Sequence, residues 1–150
     1  FFENFDIAMF LPSLRNDYQG PTIVIWFLVI YNLLASIRSL IHILLPDGGA
    51  HSIAGMNLKG NEGQNLVAIF GQWGAVQLIV SIFIWIVLWR YREFIPLMIA
   101  EVLMEQILRL SIGQIKPYVS SHTPPGAYGT IVLLPISLIM LFISLIKQSS

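Results

Sequence analysis

At 150 residues the chain has the length of about one domain; 56% of it is hydrophobic and 11% charged, against about 25% charged in an ordinary soluble domain. A mean hydropathy of +0.76 makes it an integral membrane protein, because a soluble core of this length does not hide so much apolar surface. Zero net charge removes the electrostatic case for nucleic acid, and the absence of cysteine removes disulfides, thiolate chemistry, iron–sulfur clusters and cysteine-type zinc sites.

Residues 1–20 are too short and too interrupted to span a bilayer. Phe2, Phe5, Met9 and Phe10 gather on one side of a helix, with Glu3 and Asp6 elsewhere. This suits an arm over residues 1–21 that lies in the headgroup region or docks on a partner; an ordered leader without a function is the alternative. The chain opens on Phe1 rather than Met, so a start is expected upstream.

The first span is expected over about residues 22–45. Its first half is plain hydrocarbon (IVIWFLVI), and its second carries Asn32, Ser36, Arg38, Ser39 and His42. At 100° per residue these five share an arc of about 160°, an inward-facing polar stripe. Pro46, Asp47, Gly48 and Gly49 end the helix, and a polar loop runs to residue 64. The second span, about residues 65–89, places Ala68, Gly71 and Ala75 on one face with Gly74 nearby, the small-residue pattern that lets membrane helices approach closely. Asn65 and Gln72, seven apart, share a face, and Trp85, Trp89 and Tyr91 read as an interfacial aromatic belt.

The short basic connection at residues 90–93 predicts that spans two and three form an antiparallel hairpin. Span three covers about residues 94–115, with Pro96 tolerated in its first turn. Pro117, Pro124 and Pro125 break the following loop. Span four, about residues 127–146, has Thr130, Ser137 and Ser144 as its polar side chains, and Pro135 is expected to kink it. Residues 147–150 are a tail. Arg15, Arg90, Arg92 and Lys147 on one side, against Lys59 and Lys116 on the other, favour both termini inside. The fold expected is thus an all-α, integral membrane four-helix bundle with an interfacial N-terminal segment.

Span three carries the chemistry. Glu101, Glu105 and Arg109 fall at i, i+4 and i+8, on one helix face. A charge near the bilayer centre costs a few kcal/mol unless it faces protein or water. With Arg38 and His42 of span one, these residues compose a charge-balanced internal network. One reading is a proton relay, an ion site or the polar floor of a ligand cavity; the other is a buried salt-bridge cluster that fixes helix register. In the outer loops Asp47, His51 and His122 are metal-capable side chains, but without HExxH or paired-histidine spacing solvated loop groups are expected and no metal. No nucleophile–base–acid order, phosphate loop or dinucleotide fingerprint points to catalytic residues or to a cofactor.

The stretch NLVAIFGQW from Asn65, preceded by an acid-containing polar segment, and Arg109-Leu110-Ser111 before a proline-rich loop and an apolar last helix, resemble an uncharacterised family of small bacterial four-helix membrane proteins. That family has a Gly-Arg pair late in its third helix; here Leu108 stands in the glycine position. The resemblance covers about residues 40–146 and implies a bacterial cytoplasmic membrane. More distantly, Phe70-Gly71-Gln72-Trp73, with Glu105 and Arg109, is similar to the ergosterol-biosynthesis scaffold family, which implies a tethering role without chemistry of its own.

The expected function is therefore an accessory or scaffold subunit of a larger membrane complex, with the lipid bilayer and other membrane subunits as partners. The alternative is a small-ligand or proton-handling protein, including an enzyme on a lipid or isoprenoid, that uses the Glu101/Glu105 pocket.

Overall fold

The structure, a computed structural model, describes residues 14–147. Proline marks the start of three of its helices. Pro21 directly precedes α1 (Thr22–Leu44), Pro96 sits in the first turn of α3 (Ile95–Ile115), and Pro125 opens α4 (Pro125–Ser144). A first-turn proline gives up an N–H that has no intrahelical acceptor, and its fixed φ already suits the helix. The remaining helix, α2 (Gly60–Arg90), begins five residues earlier than the hydrophobic run predicts. Its first turn carries Glu62, which favours the positive end of the helix. At 31 residues α2 is about 46 Å long, longer than the ~30 Å hydrocarbon layer, so its polar opening reaches beyond that layer. α4 runs without a break through Pro135 and ends at Ser144, two residues short of the expected boundary.

Among the described residues there is no strand, and the molecule is an all-α bundle. Three helices, α1, α2 and α4, are long and apolar enough to cross a membrane. α3 has 21 residues, about 32 Å, but Glu101, Glu105 and Arg109 reduce its apolarity. The outward faces are aliphatic and aromatic throughout, with Trp26, Leu34, Ile69, Phe83, Leu108 and Ile131 among the exposed side chains. The buried face of α1, by contrast, turns polar in its second half, where Asn32, Ser39 and His42 are buried. This inverted distribution is what a lipid solvent selects.

Packing departs from the expected hairpin. α1 packs antiparallel on α2, α3 packs on α4, and α2 barely packs against α3 although a single 3₁₀ turn (Arg92–Phe94) joins them. The short connection fixes neighbouring ends and no more. The rotation of α2 is set by a glycine, Gly74, where a Cβ would lie 2.6 Å from the Cβ of His42 and 2.9 Å from the Ser39 carbonyl oxygen.

The ends of the bundle are tied. At one end Asn16 accepts the Arg92 N–H (3.1 Å) and Tyr18 donates to the Ser144 carbonyl (3.2 Å). At the other the Ser121 N–H donates to the Gly55 carbonyl (2.9 Å) and the His122 Nε2 donates to the Ile53 carbonyl (3.0 Å). The helices therefore alternate in direction. The apolar core lies toward the first end: Val24 and Leu28 of α1, Ile84 and Leu88 of α2, Ile95 and Ile99 of α3. Beyond Gln106 no residue of α3 is buried, and the charged face lies where this core gives way. The Phe-rich part of the arm, residues 1–13, lies outside the described residues; the part that follows, residues 14–21, sits against the α2–α3 turn and the end of α4.

Candidate functional site

Where the apolar core ends, Glu105 of α3 faces α1 and α2 and accepts hydrogen bonds from four side chains. Its Oε2 takes the Tyr31 hydroxyl. Its Oε1 takes Gln77 Nε2 at 2.9 Å, Arg109 Nε at 2.8 Å and Nη2 at 2.5 Å, and Arg38 Nη2 at 3.4 Å. The Arg109 contact is the i,i+4 pair that α3 makes by itself; the other three cross between helices. Above this carboxylate the Trp73 indole lies within cation–π range of both guanidiniums, 5.0 Å from Arg109 and 5.7 Å from Arg38. Both oxygens of this carboxylate thus accept hydrogen bonds, Oε1 from three side chains and Oε2 from the Tyr31 hydroxyl.

Beside it, a cleft of about 170 Å³ opens between α2 and α3, with α1 as its floor. Its existence follows from the weak α2–α3 packing. Four side chains that line it each present a buried polar atom without a hydrogen-bond partner among the described residues: Asn32 Oδ1, Arg38 Nε, Gln77 Oε1 and Glu101 Oε2. The orientation of both amides is fixed by chemistry. Asn32 Nδ2 donates to the Ser81 carbonyl (3.0 Å) and Gln77 Nε2 to Glu105, and both partners are pure acceptors, so it is the amide oxygens that are left without a partner. An unpaired buried polar group costs about 1–3 kcal/mol. Four of them belong to side chains around this one cleft. Val76, on the same lining, is exposed near the middle of α2, so the cleft reaches the outer surface of the bundle at mid-height.

The residues singled out in the sequence fall in two places. Arg38, Glu105 and Arg109 form one hydrogen-bonded group, and Glu101 lines the adjoining cleft. His42 does not join them. Its Nδ1 lies 2.7 Å from the Gly48 carbonyl, which can only accept, so Nδ1 carries the proton. The ring stacks on Trp73 at 4.9 Å and meets Phe70 edge-on at 5.3 Å. It is a pin between α1, the following turn and α2. Of the small residues, Gly74 is buried and Gly71 is half-buried against the His42 carbonyl at 3.8 Å, whereas Ala68 and Ala75 are exposed. The close approach thus uses the pair at i, i+3, because the crossing point lies on the His42 side of α2.

Other polar groups also depart from expectation. Asn65 and Gln72 of α2 are both exposed, and Gln77 is the amide that faces inward. Trp85 is half-buried and donates to Ser36 Oγ at 3.1 Å. Tyr91 is buried, and Trp89 remains exposed. Sequence reasoning missed Tyr31, Trp73 and Gln77 as members of the site. Gln77 carried a signal, a lone amide in an otherwise apolar run, and Tyr31 lies one heptad before Arg38.

In the loop after α1, the Asp47 carboxylate accepts the main-chain N–H groups of Ser52 (2.7 Å), Gly49 (2.9 Å) and His51 (3.2 Å). These bonds hold its pKa down to about 2. His51 and His122 bond main-chain carbonyls, and among the described residues no group of three His, Asp or Glu side chains is placed to hold a metal ion. Compared with protein-family models, with curated proteins and with solved structures, the chain has no match.

Proposed function

We propose that this is a polytopic membrane protein that binds a small molecule, taken laterally from the bilayer, in the cleft beside Glu105. The observation that carries the reading is a cleft beside the buried charged group, lined by the polar side chains Asn32, Arg38, Gln77 and Glu101 and reaching the apolar surface at Val76. In this reading α3 crosses the membrane with the other three helices, its charged face turned toward α1 and α2. In this reading both termini lie inside, on the basic side, of a bacterial cytoplasmic membrane, the membrane that the resemblance to small bacterial four-helix proteins implies.

The test is native mass spectrometry of the protein extracted from its own membrane in a mild detergent. The expected result is one retained small molecule per chain, lost in Val80→Phe, which fills the cleft. A chain free of any such molecule, recovered instead in fixed stoichiometry with another membrane subunit, would replace this reading with the accessory or scaffold role. What favours that second reading is the outer loop, where Tyr118 and Val119 are exposed outside the helices and Val119 is 91% accessible.

A further inference from the structure

A second cavity, of about 230 Å³, lies between α1 and α4. We propose that it is a groove for a single-chain lipid carboxylate, a free fatty acid, with the carboxylate on Arg38 and the chain running along α1 toward Phe27. The groove is one stripe wide. Its α1 wall is Phe27, Ile30, Tyr31, Leu34, Ala35 and Arg38, the spacing of a single helix face, and Leu133 of α4 stands opposite. Ile30 and Leu34 are exposed, so the groove opens to the hydrocarbon of the bilayer. It also has a polar end and an apolar end. Arg38 stands six residues, about 9 Å, below the Leu44 end of α1, and the lining continues about 16 Å farther in to Phe27. A lipid in the leaflet on the Leu44 side has the same polarity, head toward Leu44 and chain inward.

Charge selects the head. Arg109 holds Glu105 Oε1 at 2.5 and 2.8 Å, whereas Arg38 reaches the same oxygen only at 3.4 Å. Among the described residues Glu101 bonds neither guanidinium, so the hydrogen-bonded group sets two positive charges against one negative. Arg38 Nη1 makes no hydrogen bond and, unlike Nε, is not shut away; the side chain is 32% exposed. Glu105 and the Trp73 ring, 5.7 Å away, keep the guanidinium at this depth, where an unmatched charge is costly. A carboxylate in the groove supplies the missing counter-charge and accepts from Nη1. A long-chain alcohol brings no charge, and an amine brings the wrong one. A phospholipid keeps its head at the membrane surface, farther out than Arg38, and carries two chains where the groove is one stripe wide.

For the test, the full chain is reconstituted in phosphatidylcholine vesicles with palmitate that carries a photoreactive diazirine in its chain, and the labelled peptides are mapped by mass spectrometry. The expected result is saturable labelling within residues 27–38 and beside Leu133. Palmitate should compete at a concentration about tenfold lower than hexadecanol or hexadecylamine, the size of one hydrogen bond to a charged group. Arg38→Gln and Leu133→Trp, each shown by thermal unfolding to be folded, should lose the saturable label. Val80→Phe, which fills the cleft between α2 and α3, should keep it. Competition by the alcohol or the amine as strong as that by palmitate overturns the carboxylate assignment. A label lost in Val80→Phe and kept in Leu133→Trp overturns the groove and leaves the ligand-binding reading of the cleft in place. Absence of saturable labelling overturns the fatty-acid site alone, since the cleft is tested separately by the molecule retained on extraction.

Discussion

Glu105 is the residue on which two helical hairpins converge. Three of its four partners come from the α1–α2 hairpin, so its charge balances Arg38 as well as Arg109. Glu105→Leu should cost about 3–5 kcal/mol, the range for stranding one side of a buried pair, at the lower end because the pair retains some exposure. Glu105→Gln should cost less. Its oxygen can stay toward Arg38, Gln77 and Arg109 while its NH₂ donates to the Tyr31 oxygen, so the shape survives and the charge is what is lost. Tyr31→Phe should cost about 1.5–3 kcal/mol, a hydrogen bond to a charged acceptor. Glu101→Gln should leave stability nearly unchanged, because its Oε2 has no bond to lose. Thermal unfolding of the detergent-solubilised variants checks the order. Equal tolerance of leucine at 105 and 101 would show that neither carboxylate organises the bundle.

Single glycines and one turn govern the elements. At Gly74 an added Cβ meets backbone and the root of a side chain, neither of which can move away, so Gly74→Ala should destabilise by about 1–3 kcal/mol through overpacking. Gly71→Ala should be close to neutral, since its Cβ would meet the His42 carbonyl at an ordinary 3.8 Å. Ala75→Leu, on the lipid face, should also be tolerated. The same thermal measurement applied to all three locates the α1–α2 crossing. The turn after α1 carries a pH dependence of definite sign. Asp47 has a folded-state pKa of about 2, below the ordinary aspartate value near ~3.9. Its contribution is therefore complete above about pH 4 and disappears as pH falls through about 2. Amide exchange at Gly49 and Ser52 should accelerate over that interval beyond its intrinsic pH dependence, and Asp47→Asn should remove the transition. Unchanged protection between pH 4 and 2 would mean that the turn holds without the carboxylate.

For the whole molecule, the ties at each end fix which segments share a side. The 3₁₀ turn at Arg92–Phe94, residues 14–21 and the end of α4 are together; the Gly55 and Ser121 loops are together at the other end. Accessibility tags at Gly49 and Ser120 should thus label from the same side of the membrane, and a C-terminal tag from the opposite one. From the Lys and Arg distribution the tagged loops are expected to label from the outer side. A Gly49 tag found on the same side as the C-terminus would mean that α3 does not cross, which would also move its charged face out of the membrane.

The sequence by itself determined the class, the helices and the face of α3 that had to be sheltered. Each of those depends on neighbours along one chain: a run of apolar residues, a proline at a first turn, charges repeating every four positions. It also placed the polar stripe of α1 on the buried side, because a stripe on a lipid-facing helix has one stable direction. Tertiary structure decided the rest. Whether Glu105 meets Tyr31 and Gln77, or His42 instead turns to the Gly48 carbonyl, depends on how far one helix is rotated and shifted against another. That offset is set by the close approach at Gly74, and Ala68 or Ala75 would have set a different one. The cleft is likewise a property of two helices that are joined and yet do not pack, which no pattern within either helix encodes.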